Sequence, residues 1–337
     1  MPYMVLRSGL WVGPEHLKRR RHMTALRILL LVSLSMLSVV RSAWTRELLF
    51  APIDGPGASS TEVNGIANTG QIVGNFRNRL GTHGFMCSIP CSSEALRPLD
   101  LWFNGYQAVS THIQGVSDSG HMAGFFLDVN GENHGFVCKG LTGNLDCWQV
   151  DVTVNEVAMA GTLILSIHEQ ARFVGSYREG QSKIHGFLFQ GERFERVDVP
   201  QSVATVVSAI GVRSTTNQAT IAGFFVDAKF EIHGFVCRLP ISPDCFMVFD
   251  VTLSGVPQTM TQPTAINQDT LVGSFRDRAG NAHGFVCDLP VHPGCFVQVD
   301  AYGGKNTEVL GINYLRQIVG RYDDVSGRQR AFITQTR

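Results

Sequence analysis

Five histidines, His83, His134, His185, His233 and His283, each precede a glycine and a phenylalanine. Four of them have a cysteine four residues on: Cys87, Cys138, Cys237 and Cys287. Histidine near cysteine is the pairing of a thiolate with its base, or of a zinc centre. The spacing tells against both. Structural zinc wants four converging ligands, usually in close pairs, whereas these histidines recur about every 50 residues. The eight cysteines fall as four local pairs, Cys87/Cys91, Cys138/Cys147, Cys237/Cys245 and Cys287/Cys295. In an exported chain that pattern reads as disulfides, and a disulfide sulfur is no thiolate; only three residues separate Cys87 from Cys91, so the sequence leaves that pair open. An active site needs one convergent set, so five copies of one set read as scaffold.

Residues that break the pattern are better candidates. Glu62, His112 and Glu308 stand at the starts of apolar runs. Two carboxylates and an imidazole can hold a cation or do acid–base work if the fold brings them together. Solvated rim charge is the rival reading. In "LWFNGYQAVST" (Leu101–Thr111), Trp102, Phe103 and Tyr106 can form a stacking platform for a sugar, or can simply pack a long loop. "DVNGEN" (Asp128–Asn133) resembles a calcium loop. It lacks the closing bidentate glutamate and the ligand spacing, and reads better as an Asn-Gly hairpin turn. No motif points to a nucleophile, a phosphate site or a cofactor, and no metal is expected.

The elements that must position these residues are legible from a repeat. The phenylalanines after the histidines, Phe85, Phe136, Phe187, Phe235 and Phe285, continue to Phe332 at spacings of 51, 51, 48, 50 and 47. Upstream of each lies a glycine (Gly74, Gly124, Gly175, Gly223, Gly273, Gly320) followed two residues later by an aromatic. Downstream an apolar stretch ends in Asp100, Asp151, Asp198, Asp250 or Asp300. Each repeat holds four short runs rich in Val, Ile and Phe between turn residues, and such runs read as strands. Four strands per 50 residues is the mark of a β-propeller blade. The sixth repeat ends after its third strand, while "LLFAPIDGPGA" (Leu48–Ala58), with Asp54, precedes the first as a strand without a blade. The expectation is an all-β, six-bladed β-propeller of four-stranded blades, spanning 44–337. Its N-terminal strand closes the last blade beside "RAFIT" (Arg330–Thr334), because closure hides sheet edges.

Hairpin register sharpens the reading. The third repeat has no cysteines; a turn at Gln190–Arg193 places Phe189 opposite Phe194, where the second repeat has Cys138 and Cys147. The same register sets His185 opposite Asp198 and His134 opposite Asp151. Repeats four and five miss it by one residue, which calls for a bulge. The recurrent glycines are expected to admit a ring or a neighbouring sheet.

The pieces "GINYLRQIVGRY" (Gly311–Tyr322) and "HGFVC" (His283–Cys287) resemble the bacterial extracellular HAF repeats. Five repeats here carry HGF, and the sixth carries RAF (Arg330–Phe332). The resemblance spans nearly the whole mature chain and implies a secreted repeat protein; it implies no activity.

Bulk composition narrows the partner. Lys+Arg and Asp+Glu are both 28 in 337 residues, which argues against nucleic acid. The N-terminus reads as a signal peptide over 1–43: "KRRRH" (Lys18–His22) is a basic region, Ile28–Val40 an apolar run of 13, and "RSA" (Arg41–Ala43) a cleavage site. A start at Met23 would give a more compact signal. Thirteen residues fall short of the ~20 that span a bilayer, so no stable membrane span is expected. The function expected is an exported binding module for an unknown extracellular ligand, a carbohydrate or a protein. A secreted polysaccharide hydrolase or lyase with carboxylates at the channel mouth is the alternative.

Overall fold

A computed structural model describes residues 49–103, 105–140, 145–169 and 172–335, which belong to one compact unit. The signal-peptide segment lies outside the described residues. Among them the fold is all-β and propeller-type: units of four antiparallel strands follow one another along the chain, those of repeats one and two and of repeats three and four being linked by single parallel pairs, Thr82 with Ser110 and Ile184 with Ala204. In repeats one to five the strands pair in sequence order, so each sheet has an inner, second, third and outer strand. The inner strands are Ser60–Ile66, Ser110–Val116, Ala160–His168, Ala204–Arg213, Thr259–Asn267 and Lys305–Ile312. Repeat six takes its outer strand from the other end of the chain. Leu49–Ile53 pairs antiparallel with Gln329–Gln335, setting Pro52 opposite Phe332 and Ile53 opposite Ala331.

The cores lie between neighbouring sheets. Phe85, Phe136, Phe187, Phe235, Phe285 and Phe332, the repeating phenylalanines, are all fully buried. Ile53, Val319, Ala331 and Ile333 of repeat six pack with Val63, Ile72, Phe76 and Phe85 of repeat one. Each inner strand neighbours the inner strand of the next repeat, and that of repeat six neighbours that of repeat one.

Two details differ from expectation, each for a physical reason. The bulge is not between third and outer strands of repeats four and five. There Gly234 opposes Phe249 and Gly284 opposes Val299, which keeps His233 level with Asp250 and His283 with Asp300. The one-residue offset falls on the cysteines: Cys245 closes a short 3-10 turn, Pro243–Cys245, ahead of its strand, and Cys295 also precedes its own, Val297–Val299. Bulges occur instead in the inner strands, for example between Val63 and Gly65 and between Ile113 and Gly115. They explain the recurrent glycines. A Cβ on Gly124 would strike the carbonyl oxygen of His112, which the bulge pushes toward it; the same holds at Gly74, Gly175, Gly223, Gly273 and Gly320. A carbonyl, as well as a ring, needs the space.

All four cysteine pairs are disulfides, including Cys87–Cys91. Cys138 and Cys147 are directly opposed across the ladder, and Phe189 opposes Phe194 in repeat three. Disulfides form and persist in oxidising compartments. Among the described residues no helix is long and apolar enough to cross a membrane.

A further repeated device went unread in the sequence. A threonine opens each inner strand: Thr61, Thr111, Thr162, Thr205, Thr261 and Thr307, all buried. Its hydroxyl oxygen accepts from the backbone N–H of the residue after each sheet-ending aspartate, as in Val152 to Thr162 at 3.1 Å and Ala301 to Thr307 at 2.9 Å. The bond satisfies a buried donor where the chain passes from one sheet to the next.

Candidate functional site

The histidines behave as scaffold, with one partner more than expected. Nδ1 faces the sheet-ending aspartate in five repeats, from His83–Asp100 at 2.8 Å to His283–Asp300 at 2.8 Å. Nε2 faces an acceptor at the end of the second strand or just after it: Asn78 at 3.1 Å, Glu179 at 2.9 Å, Asp277 at 3.3 Å. At His283 burial pulls the pKa down, but hydrogen bonds and attraction from Asp300 and Asp277 outweigh burial and raise it. In repeat six Arg330 takes the histidine's place, reaching Asp324 at 2.9 Å and Asp54 on the N-terminal strand.

Of Glu62, His112 and Glu308, the two glutamates are joined by a third residue, Arg321. Arg321 Nη1 donates to Glu62 at 2.5 Å and Nη2 to Glu308 at 2.6 Å. Burial lowers the Arg321 pKa, and the two glutamates more than offset it, leaving the guanidinium raised. Asn75 donates to the other Glu62 oxygen, and Asn64 donates to Asn75 at 2.8 Å. His112 stacks on Phe125 with ring centroids 4.6 Å apart. Burial lowers its pKa, partly opposed by Glu62. The carboxylate pair expected to hold a cation or work as acid and base is thus a correction. Arg321 already lies between the two carboxylates, in the space such a ligand needs. The signal was in the sequence: Arg321 follows Gly320 where the other repeats carry Asn75, Phe125, Ser176, Phe224 and Ser274.

A cavity of about 380 Å³ is walled by residues of all six inner strands. Its acidic groups bind neighbouring repeats together. Asp118 accepts from the N–H and side-chain amide of Asn68 at 2.6 and 2.7 Å, and Glu169 accepts from the Ser119 N–H at 2.8 Å. Burial raises the Glu169 pKa, but the Ser119 bonds outweigh it and hold the carboxyl low.

The aromatic loop divides. Phe103 is half-buried and stacked on Phe126, centroids 4.2 Å apart. Trp102 and Tyr106 are 64% and 67% exposed. Cross-strand pairing sets Tyr106 opposite Phe103 in a two-stranded hairpin. Tyr106 borders a cleft of about 340 Å³ with Gln107, Asp128, Asn130, His134 and Gln149. The "DVNGEN" turn on its far wall is a hairpin turn, as read: the Asp128 carbonyl accepts from the Gly131 N–H, and Gly131 takes a φ of 85°.

Among the described residues one cluster has the geometry to hold a metal ion. Ligand atoms of Asp227, Glu231 and His233 lie within 4.8 Å of one another. The sequence reading compared histidines between repeats and overlooked the local spacing Asp-x3-Glu-x-His.

No family model matches the chain, and no curated protein does. Among solved structures it is similar to Trypanosoma rangeli sialidase, with 8% identity, a TM-score of 0.47, and coverage of 82% of this chain and 54% of that one. The chain thus spans about half the sialidase's length. The lectin SapL1 in complex with alpha methyl fucoside gives 6% identity, a TM-score of 0.47 and coverage of 83% and 94%. The β-propeller domain of the Trilobed protease from Pyrococcus furiosus gives 8%, 0.43, and 87% and 97%. Likeness this distant carries no argument about a ligand.

Proposed function

We propose that the chain is an exported HAF-type repeat protein, that its sheets form one closed six-bladed propeller, and that it acts as a glycan-binding module through the cleft at Tyr106. Closure is supported by the strand Leu49–Ile53 on Gln329–Gln335 and by the shared core of repeats six and one. The observation that carries the binding reading is an exposed tyrosine ring beside a polar cleft. Phe103 stacked on Phe126 anchors the hairpin that holds it. Gln107 offers a side-chain amide along the walls, and Asn130 and Gln149, whose amide nitrogens already donate to Asp128 and Asp151, offer carbonyl oxygens. An apolar ring with convergent amides is the chemistry a pyranose recognises: its C–H face stacks and its hydroxyls hydrogen-bond. Trp102, the other exposed ring of this hairpin, pairs with Gln107 and is not among the residues that line the cleft.

The hydrolase or lyase reading needs an open pair of carboxylates about 5–10 Å apart. At Glu62 and Glu308 Arg321 lies between them, so the binding reading is preferred. A panel of polysaccharides and glycans, screened for retention and for depolymerisation, tests both. Expected is retention without depolymerisation, weakened at least about tenfold in Tyr106→Ala, the cost of one aromatic anchor. Equal retention by Tyr106→Ala overturns the assignment of the cleft.

A further inference from the structure

The loop Asp227–Glu231 in repeat four uses its acidic groups differently from its counterparts. We propose that Asp227, Glu231 and His233 bind a first-row divalent cation of the Zn²⁺ type.

The imidazole is already set for it. His233 Nδ1 faces Asp250 at 2.9 Å. An Nδ1–H donated to that carboxylate leaves the lone pair on Nε2, and this aspartate–histidine arrangement orients metal-binding imidazoles. Nε2 lies 3.8 Å from Asp227 Oδ2, beyond hydrogen-bond range. In repeats three and five the matching separations close to 2.9 and 3.3 Å, while repeat two, with the same residue types, keeps a gap of 3.6 Å between His134 and Asp128. Two donors each ~2.1 Å from one ion can stand 3.8 Å apart, so the gap suits a cation. Asp227 is fixed as well: its Oδ1 accepts the N–H groups of Lys229 and Glu231 at 2.8 and 2.9 Å, which leaves Oδ2 toward the histidine.

Repeat two shows why repeat four differs. It has the same residue types, Asp128, Glu132 and His134, but Arg178 of the next repeat donates to Glu132 at 3.2 Å. The counterpart of Arg178 beside repeat four is Arg276, which donates to the Gly280 carbonyl of its own loop at 2.8 Å. Glu231 is exposed, which leaves a side of the site open to water. One imidazole nitrogen with two carboxylate oxygens suits zinc and its neighbours; calcium prefers six to eight oxygens.

Calorimetric titration of the chelator-stripped protein with Zn²⁺, and separately with Ca²⁺, tests the proposal. The expected result is a saturable Zn²⁺ site, weakened at least about tenfold in Glu231→Gln and unchanged in Glu132→Gln. Glu231 is exposed, so the variant keeps the fold, which its melting transition verifies. No saturable Zn²⁺ binding, the same affinity in Glu231→Gln, or Ca²⁺ bound in preference to Zn²⁺ overturns it. Adventitious binding at exposed histidines would survive Glu231→Gln.

Discussion

Arg321 decides what Glu62 and Glu308 can do. Its side chain is 30% exposed, theirs 20% and 21%, so the trio is neither fully buried nor freely solvated. Arg321→Met leaves two carboxylates close together without their cation. The expected cost is roughly 2–3 kcal/mol, below the ~3–5 kcal/mol of a fully buried ion pair because solvent screens part of it. Denaturant unfolding reads the change, and Glu62→Gln in the same background should recover part of it. His283 supplies a pH signature. Its folded pKa is raised above 6.5, so its contribution is complete below 6.5 and fades as pH rises through the folded value. Asp277 is lowered from 3.8 to about 2 by the Asn281 amide and backbone N–H, with help from His283. Its contribution holds above 3.8 and fades as pH falls toward 2. The stability lost in His283→Gln should therefore be largest between about pH 4 and 6.5 and shrink on both sides. A pH-independent difference would refute the clamp.

At the scale of elements, the same clamp takes a special form where chain ends meet. Arg330 joins Asp324 of its own loop to Asp54 of the N-terminal strand. Arginine stays charged at every accessible pH, unlike histidine. Arg330→His should resemble wild type near pH 5 and lose a few degrees of melting temperature near pH 8; Arg330→Leu should lose them at both. A difference-free pH series for Arg330→His would sink this account. Strand register was readable wherever both anchors lie in the ladder, as for Cys138 opposite Cys147 and Phe189 opposite Phe194. It misled where one anchor, Cys245 or Cys295, lies ahead of the strand, because spacing alone does not say which residues belong to a turn.

At the scale of the molecule, the packing of repeat six on repeat one makes the N-terminal strand a shared element. A variant lacking residues 49–58 loses Ile53 and Ala58 from that core, the Phe50–Phe332 contact and the Asp54 clamp. The expected loss is on the order of 5 kcal/mol, seen as a single, lower melting transition. Loss confined to one repeat, with the rest melting unchanged, would instead describe an open array. The sequence by itself determined the repeat, its strands, the disulfide partners other than Cys87–Cys91, and the His–Asp register of repeats two and three. Each of these follows from short-range periodicity and hairpin spacing. Only the tertiary structure decided that Arg321 fills the gap between Glu62 and Glu308. It alone set Tyr106 against a polar cleft and left Glu231 beside His233 while Glu132 went to Arg178. Those outcomes depend on which side chain reaches across from another strand or a neighbouring repeat, 259 residues away in sequence for Glu62 and Arg321. Distance in three dimensions, which spacing along the chain does not encode, settles them.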